Sequence, residues 1–212
     1  MYNFYDSIKT SKVINPGFAT HAIKVPFRML IAAPSGSGKT NCLMNLLNAF
    51  DKTFHEIIVC VLSDDEPLYQ RLSSLPGVIF YTGGEVPEMP SKNDGLQRLI
   101  IFDDLVLHRE ANRAAEQYFI KARKLGYSMC YISQSYFQTP KMIRIQCNIL
   151  VLGKNLLKKD LRMILGVIPT DMNLDQFAQR YSEMTKEPMS VVLIDIVNRS
   201  FRQNITGERY QL

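Results

Sequence analysis

At 212 residues the chain has the length of one domain with elaborations rather than two full ones. Apolar residues make up 46% and charged residues 21%, a globular balance that excludes a disordered or collagen-like chain, and the net charge is +5. The longest apolar runs (29–34 and 57–62) are about six residues, far short of the roughly 18 that span a bilayer.

Residues 1–26 read as an N-terminal arm, with Pro16-Gly17 as a turn and Pro26 just ahead of the first strand. The opening MYNFYDSIKTSKV lacks an apolar core, so no secretory signal and an intracellular site are expected. Short apolar runs then predict strands at 27–33, 56–63, 78–82, 98–105, 128–133, 148–153 and 190–197. Most are apolar at every position, as strands buried on both faces are. Between them, helices are predicted at 39–50, 68–75, 109–125, 156–165 and 174–185. Gly126 suits the stop of the third helix, and Asn173 with Gln176 has capping-box spacing at the start of the last. The alternation predicts an α/β domain over 27–212 with a mainly parallel sheet flanked by helices. The segment 83–97 is long, polar and rich in Pro and Gly, and is the expected mobile loop. Cys42, Cys60, Cys130 and Cys147 lack CxxC spacing and read as buried hydrophobes in a reducing compartment.

The basic excess is local. From Lys121 to Arg162 nine basic residues (Lys121, Arg123, Lys124, Lys141, Arg144, Lys154, Lys158, Lys159 and Arg162) face one acid, Asp160. That segment carries +8, and the remainder, 16 basic against 19 acidic, carries −3. Focused positive charge suits a nucleotide or a polynucleotide; a solvated basic face fits equally well.

Directly after the first strand comes Ala33-Pro34-Ser35-Gly36-Ser37-Gly38-Lys39-Thr40, then a helical run. This is the phosphate-loop (Walker A) pattern with Ala33 in place of its first glycine. Gly36 and Gly38 free the backbone to turn its N–H groups onto phosphates. The following helix adds its positive end. Pro34 to Thr40 are the candidate ATP-binding residues, with Lys39 for the β- and γ-phosphates and the Thr40 hydroxyl for Mg²⁺.

A second carboxylate belongs opposite Thr40. Leu99-Ile-Ile-Phe102-Asp103-Asp104 supplies an apolar strand ending in two acids: Asp103 for the metal side, Asp104 to orient or deprotonate water. Capping of the next helix is the bland alternative for the pair. The strand at 128–133 ends in Gln134, an amide able to donate and accept at a γ-phosphate. One helix after the acidic strand, it is expected to lie between that strand and the phosphate-loop strand. Arg123, near a helix C-terminus, is a candidate arginine finger for a neighbouring subunit's nucleotide, and Arg144 competes for the role. Asp64-Asp65-Glu66 before Pro67 reads as a helix start rather than a metal site. The three histidines show no ligand spacing.

Taken together, FRMLIAAPSGSGKT, LIIFDD, ARKLGYSMCYISQSYFQTPKMIRIQCN and SVVLIDIVNRSFRQN resemble the genome-packaging ATPases of the FtsK–HerA superfamily. The likeness is to those of nucleocytoplasmic large DNA viruses, virophages and polinton-like viruses, over roughly residues 24–204. It implies a RecA-like (ASCE) P-loop NTPase core in a homo-oligomeric ring. It further implies ATP-driven pumping of double-stranded DNA into a viral capsid at a portal vertex or its equivalent. The setting would be the host-cell cytoplasm or a virus factory, or the virion itself. A small-molecule or nucleoside kinase is a competing reading, but the 83–97 segment has none of the lid arginines a kinase needs. A non-packaging DNA-dependent ATPase and a nucleotide-binding scaffold without turnover are others; intact Lys39, Thr40, Asp103 and Asp104 weigh against the scaffold.

Overall fold

A computed structural model describes residues 13–212. After a short helix α1 (Phe18–His21), the chain alternates strands and helices: β1 (Arg28–Ala32), α2 (Lys39–Ala49), β2 (Glu56–Cys60), α3 (Pro67–Ser73) and β3 (Val78–Tyr81). It continues through β4 (Arg98–Asp103), α4 (Arg109–Lys121), β5 (Tyr127–Ser133), α5 (Lys141–Gln146) and β6 (Ile149–Leu152). Helices α6 (Lys158–Leu165) and α7 (Leu174–Met184) precede the closing strands β7 (Val192–Asp195), β8 (Ser200–Gln203) and β9 (Arg209–Gln211). The nine strands form one sheet in the order β3-β2-β4-β5-β1-β6-β7-β8-β9. The first six in that order run parallel, and β7 to β9 are antiparallel additions at one edge.

Continuous apolarity in the strands follows from burial on both faces. On one, Leu30, Ile100, Phe102, Met129, Tyr131 and Leu150 meet Ala115, Tyr118 and Phe119 of α4, with α6 and α7 alongside. On the other, Met29, Ile31, Leu99, Ile101, Cys130 and Val151 meet Leu43 and Leu46 of α2 and Tyr69 and Leu72 of α3. Alternate residues of one strand thus feed opposite cores. All four cysteines are buried and free, and burial pushes the Cys42 and Cys60 thiols up to about 12.

The N-terminal arm falls partly outside the described residues, at 1–12. Its described part is packed: His21 and Ile23 are fully buried, and the Asn15 side chain donates to the Ile23 carbonyl at 2.9 Å. The 83–97 loop also departs from expectation. The Tyr118 hydroxyl donates to the Pro87 carbonyl, Asn93 donates to the Lys124 carbonyl, and Val86 and Met89 pack on the core. Helix 109–125 ends as an α-helix at Lys121 and tightens into a 3₁₀ turn over Ala122–Leu125, closed by left-handed Gly126. The region expected as strand 190–197 turns at Asn198, which donates to Asp195 twice, and returns as β8. Strand β8 escapes the apolar pattern because Arg202 lies inside it, buried to 3% exposure.

Candidate nucleotide site

The parallel strands end together at one edge of the sheet, and the phosphate loop, Asp103, Asp104 and Gln134 collect there. The β1–α2 connection carries residues 33–38, held against β5 by the Ala33 N–H on the Ser133 carbonyl at 3.0 Å. Gly36 and Gly38 have φ of +73° and +83°, a region that disfavours any side chain. A Cβ on Gly38 would also lie 2.5 Å from the Met189 sulfur. Ala33 fits where the pattern has glycine because Gly153 faces it; a Cβ at 153 would lie 2.4 Å from that of Ala33. The Pro34 carbonyl ties the loop from behind, accepting from the Ser37 hydroxyl and, at 3.3 Å, from Lys39 Nζ.

Ser35, Gly36, Gly38, Lys39, Thr40, Glu66, Asp103, Asp104 and Gln134 line one open cleft of about 470 Å³. A larger cleft of about 610 Å³ beside it shares Asn41 and Met189 but contains no lysine and no carboxylate. The charged groups therefore sit in the smaller one. Strand order puts Gln134 where expected: β5 lies between β4, which ends in Asp103, and β1, which leads into the loop. Gln134 Nε2 donates to Asp104 Oδ2 at 2.7 Å, leaving the amide oxygen of Gln134 without a partner among the described residues. Asp104 adopts φ +52° as the chain leaves β4.

Asp103 is the most desolvated acid of the group. Burial pushes its carboxyl up to about 6; the Tyr69 hydroxyl opposes that rise, and the adjacent Asp104 charge adds to it. The Tyr69 phenol, itself buried beside this carboxylate, stays protonated well above its ordinary range and donates to Asp103 Oδ2. Asp103 Oδ1 is buried with no partner among the described residues. Such an acceptor carries a desolvation cost until a cation or donor meets it. Thr40 Oγ1 donates to Glu66 Oε2 at 2.9 Å. The residues fit Mg²⁺, which takes hard oxygen donors, commonly one or two carboxylates plus substrate phosphates. No group of three or more His, Cys, Asp or Glu among the described residues could hold a metal by itself, so phosphate oxygens would have to complete the set.

The candidate fingers lie elsewhere. Arg123 occupies the 3₁₀ turn before β5, at the opposite edge of the sheet, roughly 20 Å from Gln134 by the length of that strand. It is exposed and has no carboxylate partner among the described residues. Arg144 on α5 is engaged: Nε donates to the Thr139 carbonyl at 2.9 Å and the guanidinium lies over the Tyr136 ring. Neither belongs to the cleft of its own chain. Glu66 lines the cleft although its local pattern reads only as a helix start, and Tyr69, whose hydroxyl bonds Asp103, carries no signal in the sequence.

With this geometry, the solved structures of similar fold can be compared. The genome packaging NTPase B204 of Sulfolobus turreted icosahedral virus 2, in complex with ATP-gammaS, superposes with a TM-score of 0.54 at 11% identity, over 86% of this chain and 98% of that one. The DNA-packaging ATPase B204 of Sulfolobus turreted icosahedral virus gives 0.57 at 12% identity, again over 86% and 98%. The fold is that of a P-loop NTPase. The cytoplasmic domain of the type VII secretion ATPase EccC of Thermomonospora curvata shares this P-loop NTPase fold, at 0.59 and 12% identity over 85% of this chain and 25% of that one. No family model matches the sequence, and no curated protein does. The structural neighbours thus include packaging ATPases of the kind the motifs resemble, together with secretion ATPases.

Proposed function

We propose that the chain is an ATPase whose turnover moves double-stranded DNA, and that it works in loading a viral genome into a capsid. The observation that carries the ATPase reading is the convergence of the phosphate loop, Asp103, Asp104 and Gln134 on one cleft at the carboxyl edge of a parallel sheet. The adjoining cleft, sharing Asn41 and Met189, has room for the nucleoside half. The DNA and capsid readings rest on the motif resemblance, on the packaging ATPases among the structural neighbours and on the basic 121–162 segment.

In this reading the loop N–H groups and Lys39 bind and orient the phosphates. Thr40 and Asp103 would hold Mg²⁺, which would offset charge developing on the transferred phosphoryl group. The free amide oxygen of Gln134 orients a water in line with the γ-phosphorus, and Asp104 accepts its proton. The water oxygen bonds to phosphorus, the bond to the bridging oxygen breaks, and ADP and phosphate leave. Arg123, facing outward from the far edge, serves the cleft of the next subunit in a homo-oligomeric ring. The setting is the host cell or its virus factory. No helix among the described residues is long and apolar enough to cross a membrane.

The test is ATP turnover with and without long duplex DNA. Stimulation by DNA is expected of this motor. Turnover indifferent to DNA but dependent on a small hydroxylic acceptor would instead support a kinase.

A further inference from the structure

The start of α3 brings two side chains to the metal side of the cleft, and neither is used in the reading above. Glu66, the residue before Pro67, accepts from the Thr40 hydroxyl at 2.9 Å. Tyr69, one turn on and buried at 3% exposure, donates its hydroxyl to Asp103 Oδ2. The two contacts thus fall on the two residues assigned to Mg²⁺. Asp64 and Asp65 take no part; Asp65 bonds Ser63 beside it.

We propose that Glu66 and Tyr69 are positioning residues that pre-set Thr40 and Asp103 for a divalent cation bound with a nucleotide. This rests on the nucleotide-site reading and deepens it. A threonine hydroxyl has one hydrogen and two lone pairs. With the hydrogen given to Glu66, the lone pairs are free to face the cleft. A carboxylate has two oxygens; with Oδ2 of Asp103 held by Tyr69, the buried and unpartnered Oδ1 is the one left for the cation shell. Outer partners orient ligands, an acceptor such as Glu66 also raising the basicity of the hydroxyl that donates to it, and losing one typically costs about 10- to 100-fold in metal affinity or activity. The proposal also gives the Asp64-Asp65-Glu66-Pro67 run a purpose beyond starting a helix: Pro67 opens α3, so residue 66 lies beside the phosphate loop and residue 69 one turn deeper.

The experiment measures binding of a fluorescent ATP analogue to wild type, Glu66→Ala, Glu66→Gln and Tyr69→Phe, once in EDTA and once over a Mg²⁺ series. Mn²⁺ electron paramagnetic resonance in the presence of ADP serves as a second readout of metal affinity. Glu66 is exposed, so its variants report even where Tyr69→Phe loosens packing. Expected are EDTA affinities within about twofold of wild type and a Mg²⁺ requirement raised about 10- to 100-fold in Glu66→Ala and Tyr69→Phe. Glu66→Gln, which keeps an acceptor oxygen, should recover part of the loss. Metal-free and metal-supported binding falling together, or Mg²⁺ dependence unchanged in Glu66→Ala, would overturn the proposal. Wild type that binds the analogue but shows variants like itself sinks only the positioning roles. Wild type that binds no nucleotide under either condition sinks the underlying site reading as well.

Discussion

The two edges of the parallel sheet are built on opposite plans. At the carboxyl edge one buried acceptor is left wanting: Asp103 is desolvated, and its Oδ1 has no partner among the described residues. At the amino edge most of the cations' donors are paired, although Arg28 Nε is buried with no partner among the described residues. Arg98 takes Asp94 through both terminal nitrogens at 2.9 and 2.7 Å and Glu56 at 3.2 Å, and Arg28 donates to Gln146 and to the Phe119 carbonyl. Arg123 is exposed there and has no carboxylate partner among the described residues, and the same holds for Lys121 and Lys124 beside it. Unmet polar demand at a surface cleft points to chemistry, and satisfied demand points to architecture. By that criterion the carboxyl edge is the candidate working face, and under the proposed function Arg123 is the other edge's contribution to a neighbouring cleft.

The contrast can be broken from its strongest side first. Lys39→Ala should reduce ATP turnover to background while the melting temperature stays within a few degrees, since Lys39 Nζ hydrogen-bonds its own loop rather than the core; turnover and melting are measured on the same preparation. A folded variant with near-normal turnover would remove the carboxyl edge from the chemistry. Arg123→Ala should leave nucleotide affinity intact and lower turnover of the assembled protein about 1,000-fold, as loss of a trans arginine does. Asp104→Asn should retain ATP binding and slow hydrolysis about 100-fold, trapping the bound state. Single-turnover kinetics separate the two steps, and an unchanged rate would assign the water to another residue. The smallest effect is on stability. Asp103→Asn should raise the stability of the nucleotide-free protein at pH 7 by on the order of 1–2 kcal/mol, because a desolvated charge is removed. The gain belongs above pH 6, where the folded chain carries that charge, and vanishes below 3.8, where folded and unfolded chains are both protonated. Thermal melting at pH 7.5 and 3.5 checks the sign.

The same two edges explain what was legible in the sequence. Residues 33–40, 99–104 and 128–134 each lie on one continuous stretch, so type and spacing carried the information. Even the insertion of β5 between β1 and β4 followed from chain order. Glu66 and Tyr69 stand 26 and 34 residues from the partners they bond. Their local pattern, acids before a proline, was already accounted for by a helix start. Strands β8 and β9 were missed for a related reason. Arg202 is buried in β8, and all three residues of β9 are exposed, so neither shows an apolar run. Helix α5, at six residues, is too short to display a helical period. The 83–97 loop misled because its composition is that of a mobile segment, whereas the tyrosine and asparagine bonds that pin it span 31 residues each.

Whether the edges meet across a subunit boundary is best measured by mixing. Lys39→Ala subunits have an intact Arg123 and a dead loop; Arg123→Ala subunits have the reverse. Each alone should hydrolyse ATP at background on duplex DNA. Mixed, they should regain a fraction of wild-type turnover, rising and falling with the mixing ratio, because some interfaces pair a sound loop with a sound arginine. Mixtures that stay at background at every ratio, or a wild-type chain that hydrolyses at full rate as a monomer with DNA present, would contradict a site completed by its neighbour.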